Sequence, residues 1–98
     1  MKMIRDNIHN FIEDKTSTQR CLPKEELGFL QKKLLEEAEE VVTAKPEDVL
    51  EELADVYEVM LALGAKYGHA LSSIQAYADQ KRSTLGGFRD GWILIKCP

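Results

Sequence analysis

Two acidic clusters are the part of this sequence best equipped for chemistry, Glu36–Glu40 and Glu51–Asp55. Each contains carboxylates three residues apart, a spacing that places their oxygens on adjacent turns of one helix face. Converging carboxylates repel one another, so folds that assemble them usually do so around divalent cations. A set without His or Cys favours a hard ion, Mg²⁺ or Mn²⁺, over zinc. The clusters therefore indicate a metal-dependent enzyme that acts on phosphates.

The clusters lie in two long helical stretches separated by Pro46. A break this short between two long helices forces them into an antiparallel hairpin. Ser72 with Gln75 resembles a capping box that opens a further helix, which Gly86 and Gly87 end. Apolar periodicity, Pro and Gly together predict helices over about residues 5–14, 24–44, 47–67 and 73–84. The predicted fold is an all-α bundle of four helices built on the hairpin.

The helical wheel separates the members of the two clusters. On the first long helix, Glu37 and Glu40 lie about 90° and 150° from the centre of the apolar arc. On the second helix, whose arc is centred near Leu53, Glu52 and Asp55 lie about 100° and 160° away in the same sense. The four carboxylates are therefore expected to face one another at the edge of the hairpin core. Two neighbours, Glu36 and Glu51, are predicted to face solvent. From the residues alone, a metal site and a charged, solvated edge remain equally compatible with this pattern.

Composition restricts the remaining function classes. The chain has 98 residues, of which 44% are apolar, enough for one small domain whose core would gain from association with further copies. Its net charge of −4 argues against general binding to nucleic acid or to an anionic membrane. No apolar run approaches the roughly 20 residues of a membrane span, and no secretory signal is visible. Cys21 and Cys97 are expected to be free thiols in a cytoplasmic protein.

Four segments form an ordered set along the chain: the opening Lys2–Asp6, the acidic stretches Lys33–Val41 and Glu51–Val56, and the closing Lys81-Arg82 with Gly86-Gly87-Phe88. Together they resemble the MazG-like nucleotide pyrophosphohydrolases, an all-α superfamily that includes phosphoribosyl-ATP pyrophosphohydrolase. The resemblance covers nearly the whole chain, as one domain over residues 1–98.

The resemblance implies hydrolysis of a nucleotide between its α and β phosphates, with Mg²⁺ as cofactor and Mn²⁺ as a substitute. The implied metal ligands are Glu37, Glu40, Glu52 and Asp55. Glu36 or Glu40 would orient or deprotonate the attacking water. The implied substrate contacts are Lys81, Arg82, Lys33 and Arg5. The expected partner is the nucleotide substrate, and the expected assembly is a homodimer or a homotetramer.

The chain departs from this pattern at two places. Asn7 and His9 follow Arg5-Asp6 where the branch has Lys and Pro, and Leu85 precedes the glycines where it commonly has Arg. The substitutions at Asn7 and Leu85 each remove a cation that would meet phosphate or base. Three rival hypotheses remain: a phosphoribosyl-ATP pyrophosphohydrolase of histidine biosynthesis, a non-catalytic helical interaction module, and a metal-binding domain without turnover.

Overall fold

The computed structural model describes residues 1–96, and these are helical with irregular connections and no strand. Two 3₁₀ turns, Lys15–Ser17 and Pro46–Asp48, lie between the helices. The four α-helices are α1 Asp6–Phe11, α2 Pro23–Thr43, α3 Val49–Lys66 and α4 Leu71–Leu85. The prediction of an all-α fold with four helices is confirmed. Within residues 1–96, no helix has the length and apolar character that crossing a membrane requires.

The long helices begin and end where Pro and Gly require it. Pro23 occupies the first turn of α2, where its missing N–H costs nothing. The preceding backbone N–H, of Leu22, donates to Glu25 Oε1 at 3.1 Å. Pro46 favours an extended conformation at the residue before it, which stops the helix short of that point. After α3, Gly68 adopts a φ of +78°, a conformation that turns the chain out of the helix.

Helices α2 and α3 form the predicted antiparallel hairpin. Lys66 at the end of α3 pairs with Glu26 near the start of α2, with 2.6 Å between Nζ and Oε2. Closer to the connection between the helices, Glu37 of α2 lies beside Glu52 and Asp55 of α3. This reversed order of contacts is the signature of an antiparallel pair. It places the second half of α2 against the first half of α3.

The apolar core inside one chain is small. Leu30 of α2 and Val59 of α3 are the two buried apolar residues among the described residues, and they are 5% and 9% exposed. Half-buried neighbours surround them: Leu27, Leu34, Val41, Val49, Val56, Met60, Leu61 and Leu63. The predicted arc centre at Leu53 is wrong, because this side chain is 49% exposed. The apolar sector of each helix is wider than the part that the other helix covers.

The uncovered part of that sector forms a continuous surface, here called the rear face. It consists of Leu35, Ala38 and Val42 on α2 and Leu50, Leu53 and Tyr57 on α3, all of them exposed. The spacing on each helix is i, i+3, i+7, which keeps the three side chains in one row. The hairpin therefore has two apolar surfaces: one is packed between its helices, and the other is the exposed rear face.

Helix α4 contacts the hairpin only near its own start. Leu71 and Ile74 are half-buried there, and the rest of the helix is exposed. The approach is close at Gly64, where an added Cβ would lie 3.0 Å from Ile74 Cδ1. The predicted capping box is wrong: the N-cap is Ala70, and no side chain caps the helix. As predicted, the helix ends at Gly86, whose φ is +82°.

Candidate metal site

Three carboxylates converge across the hairpin. One oxygen each from Glu37 of α2 and from Glu52 and Asp55 of α3 lies within 4.8 Å of the other two. The i, i+3 spacing puts both α3 residues on the side that faces α2. Three of the four carboxylates expected to meet are thus brought together. The fourth, Glu40, is exposed one turn further along α2 and is close enough to Glu52 to affect its protonation.

Glu37 lies deeper than the wheel geometry predicts. Only 7% of the residue is exposed, so it belongs to the contact surface between the helices instead of the edge. Its Oε2 and Glu52 Oε2 are both buried without a hydrogen-bond partner among the described residues. Buried polar atoms are nearly always satisfied, and an exception needs an explanation. A bound cation supplies one, because hard divalent ions take carboxylate oxygens as ligands.

The electrostatics of Glu52 agree with this explanation. Burial raises the pKa of the Glu52 carboxyl above its usual range, and the nearby carboxylates Glu40, Asp55 and Glu37 raise it further. Without a cation, the cluster therefore resists complete ionisation. A divalent ion would reverse this effect by favouring the charged form of each ligand. The residues present thus fit Mg²⁺ or Mn²⁺.

Lys33 balances part of the negative charge from within α2. Its Nζ lies 3.0 Å from Glu37 Oε1 and 3.4 Å from Glu36 Oε1. Burial lowers the pKa of Lys33, but the hydrogen bond and charge of Glu37, together with Glu36, outweigh this effect and raise it overall. The ammonium group is therefore held as a cation against two carboxylates.

The segment before α1 brings two more cations to the acidic residues. Arg5 Nη2 donates to Asp55 Oδ1 at 2.6 Å. Lys2 Nζ lies 3.6 Å from Glu36 Oε1. Of the predicted substrate contacts, Arg5 and Lys33 therefore lie at the cluster and are engaged by its carboxylates. No role was predicted for Lys2, since only the tertiary position of the N-terminal segment reveals its pairing with Glu36.

The solvent-facing position expected for Glu36 is wrong, while Glu51 is exposed as expected. The Glu36 side chain is 31% exposed, because Lys33 and the N-terminal segment cover it. A helical wheel represents one isolated helix. It therefore cannot show that the N-terminal segment packs over Glu36.

The remaining predicted cations are not brought to the cluster. Lys81 and Arg82 lie on the exposed part of α4. Arg82 Nη1 pairs within its own helix, 2.9 Å from Asp79 Oδ1. Within residues 1–96, neither cation forms an ion pair with the acidic cluster. Cys21 is a free thiol, and the prediction for Cys97 lies outside the described residues.

Comparison with known proteins agrees with the sequence pattern. Residues 5–82 match the family model described as phosphoribosyl-ATP pyrophosphohydrolase. The match includes the whole hairpin with its acidic cluster, and it includes Arg5, Lys81 and Arg82. No curated protein and no solved structure matches the chain at a significant level.

Proposed function

Because the chain belongs to the phosphoribosyl-ATP pyrophosphohydrolase family, we propose that it hydrolyses a nucleoside triphosphate or related nucleotide between the α and β phosphates, releasing the monophosphate and pyrophosphate. The family is one of hydrolases that act on phosphoanhydride bonds, and it is related to the MazG-type enzymes. The resemblance stated from the sequence is thereby confirmed. The observation that carries the proposal is the convergence of Glu37, Glu52 and Asp55, with two buried oxygens that have no hydrogen-bond partner in residues 1–96.

We propose that Mg²⁺, with Mn²⁺ as a substitute, is held by Glu37, Glu52 and Asp55, with Glu40 as a fourth ligand. When bound, the ion would offset the charge of the phosphate oxygens and lower the pKa of a coordinated water. The support is the chemistry of the donors, which are all carboxylates, and the raised pKa of Glu52.

Glu40 is the better candidate for orienting or deprotonating the attacking water. It is exposed, beside Glu52, and makes no ion pair among the described residues. Glu36, the other candidate, is engaged by Lys33 and Lys2, and both contact the same oxygen, Oε1. A general base needs a free oxygen within reach of the proton it accepts.

The cations at the cluster divide into two proposed roles. The Arg5 side chain is 54% exposed at the rim, so it is placed to contact a phosphate beside Asp55. Lys33 is only 16% exposed and is held by Glu37 and Glu36, which favours a role in positioning these carboxylates over substrate contact. We propose that Lys81 and Arg82 contact the substrate phosphates that lie farther from the acidic cluster. The α4 that carries these two residues would belong to the same chain or to a second copy.

We also propose that the chain works as a homodimer or a homotetramer. Its accessible surface is 8,914 Å², whereas a compact single chain of this mass exposes about 5,700 Å². Its radius of gyration is 17.1 Å, against about 13 Å for a compact domain of this length. Assembly is the simplest way to cover the difference. The cytoplasmic location and the single domain over residues 1–98 stay predictions from the sequence.

Turnover is the direct test. The purified protein is incubated with canonical and modified (deoxy)nucleoside triphosphates and with phosphoribosyl-ATP, with and without Mg²⁺. Monophosphate and pyrophosphate are expected in equal amounts and only with the metal. Glu52→Gln should abolish most of the activity, whereas the adjacent and exposed Glu51→Gln should retain it. The proposal fails if no substrate is turned over and if Mg²⁺ and Mn²⁺ leave the melting temperature unchanged.

Phosphoribosyl-ATP is the second candidate substrate, and the description of the matching family favours it. In both candidates the cleaved bond joins the α and β phosphates. They differ in the nucleoside, which in phosphoribosyl-ATP carries an additional phosphoribosyl group. Comparison of kcat/KM between phosphoribosyl-ATP and the triphosphates in the same panel decides between them.

A further inference from the structure

The segment after α4 is apolar and, within residues 1–96, is not packed against other parts of the chain. Gly86 and Gly91 both adopt positive φ and lead into a run that makes no regular structure through residue 96. Its large side chains are almost fully exposed: Phe88 102%, Trp92 91%, Ile93 81%, Leu94 75% and Ile95 87%. Consecutive exposed apolar residues of high β-propensity are an aggregation hazard unless something covers them. Residues 88–95 are called the C-terminal arm below.

The rear face of the hairpin is the matching surface. Its two rows, one on α2 and one on α3, contain no charged residue and are exposed along their length. On the helical wheel the rows lie to one side of the buried centre, whereas Glu40 and Asp55 lie to the other side. A chain segment that docks on the rear face therefore leaves the acidic cluster open to substrate.

We propose that the C-terminal arm of one chain packs on the rear face of a second copy. The accessible surface exceeds that of a compact chain by roughly 3,200 Å², and obligate homodimers bury about 1,000–2,500 Å² per subunit. The excess is thus large enough for such an interface. In a two-fold pair, each chain contributes one arm and one rear face. The same contact therefore forms twice, and every arm and every rear face is covered.

The exposure of α4 and of the arm favours a second copy over the chain's own hairpin. Helix α4, about 22 Å long, contacts the hairpin through its first turn and is exposed beyond Ile74. The arm follows the far end of this helix, and its large apolar side chains are exposed instead of packed on their own chain. This inference rests on the proposed homo-oligomer and is independent of the proposed hydrolysis.

Trp92 gives a direct readout, because it is the only tryptophan of the chain. Sedimentation velocity and tryptophan emission are measured on the full chain over a dilution series. The expected result is a dimer, or a multiple of it, whose Trp92 emits at a shorter wavelength than an exposed indole. On dilution, the mass should fall and the emission should move to longer wavelength over the same concentration range. Trp92→Ala, followed by sedimentation, should weaken association at least about 30-fold, as expected for an interface hot spot.

Complementation decides whether the arm docks on another chain. Leu50→Asp breaks the rear face at a position that is 81% exposed, and its Trp92 should emit as an exposed indole. Adding the Trp92→Ala chain, which keeps its rear face but has no tryptophan, should restore the shorter wavelength. Leu53→Asp serves as a second rear-face variant, and circular dichroism checks that both variants remain helical. Phe11→Asp, at a residue 76% exposed on α1, should leave mass and emission unchanged.

Four outcomes would overturn the proposal. One is short-wavelength emission from a particle of monomer mass, which would place the arm on its own hairpin. Another is a dimer whose Trp92 emits as an exposed indole. A third is emission that shifts only when anionic vesicles are added, and a fourth is mixing of the two variants without any recovery. None of these readouts uses turnover, so failure here is distinguishable from failure of the proposed hydrolysis.

Discussion

Replacing Lys33 by Met should destabilise the metal-free protein far more than the same replacement at the neighbouring, exposed Lys32. The side chains of Lys33 and Glu37 are only 16% and 9% exposed, and their charged atoms are 3.0 Å apart. Removing one partner of a fully buried ion pair costs about 3–5 kcal/mol. Since Lys33 lies near the rim and water can partly replace it, we expect about 2–3 kcal/mol. For a domain of this size, that corresponds to a fall in Tm of roughly 10–20 °C.

Magnesium should reduce this loss, because a divalent ion would supply positive charge to the same carboxylates. The assay is thermal unfolding followed by circular dichroism, in EDTA and in saturating Mg²⁺. Lys32→Met is the matched control, since Lys32 is exposed, makes no ion pair among the described residues and has the same helix propensity. The reasoning is refuted if the two variants melt together in EDTA, or if Mg²⁺ leaves the gap between them unchanged.

Three further predictions follow from the packing and the charges. Leu30→Ala should lower the free energy of unfolding by about 2–5 kcal/mol in urea titration, whereas Leu85→Ala, at a residue 75% exposed, should change it little. Folding raises the pKa of Glu52 above its ordinary 4.5, so the folded state binds this proton more tightly than the unfolded state. The stability of the metal-free protein should therefore fall as pH rises from the ordinary pKa to the raised one. In Glu52→Gln that part of the fall should be missing from melting curves recorded in EDTA, and an unchanged profile would contradict the assignment. Arg5→Gln removes a cation that is bound to Asp55, so calorimetry at low salt should show Mg²⁺ binding a few-fold more tightly, with the difference shrinking at high salt.

The elements of the fold were predictable because each boundary has a local cause. Pro23, Pro46 and Gly86 act through their own backbone geometry, so their effect can be read without knowing what packs nearby. The capping box at Ser72 was a weaker signal. Helix α4 begins at Leu71, two residues earlier than this signal predicts, with Ala70 as its N-cap and without a side-chain cap.

The centre of the apolar arc was not predictable for a different reason. Periodicity reports that Leu53 belongs to an apolar sector, but it does not report which neighbour covers which part of that sector. Inside one chain the covered part centres on Leu30 and Val59. The apolar sector also includes the exposed rear face, so the centre of the whole pattern is displaced from the centre of the buried part.

The acidic residues show the same division between local and distant causes. Spacing within each helix was enough to select Glu37, Glu52 and Asp55. The pairing of Arg5 with Asp55 joins residues fifty positions apart, and no local rule connects them. The covering of Glu36 likewise depends on where the N-terminal segment lies.

The short connection between α2 and α3 has a consequence for the order of folding. Contacts between helices that are adjacent in sequence form in microseconds to milliseconds, whereas subunits associate in milliseconds to minutes and more slowly on dilution. Glu37, Glu52 and Asp55 all lie on the hairpin, so a newly made chain should assemble its acidic cluster before the association proposed above. A cation taken up at that moment would fix the alignment of the two helices. The rear face would then have its final arrangement before a second copy binds to it.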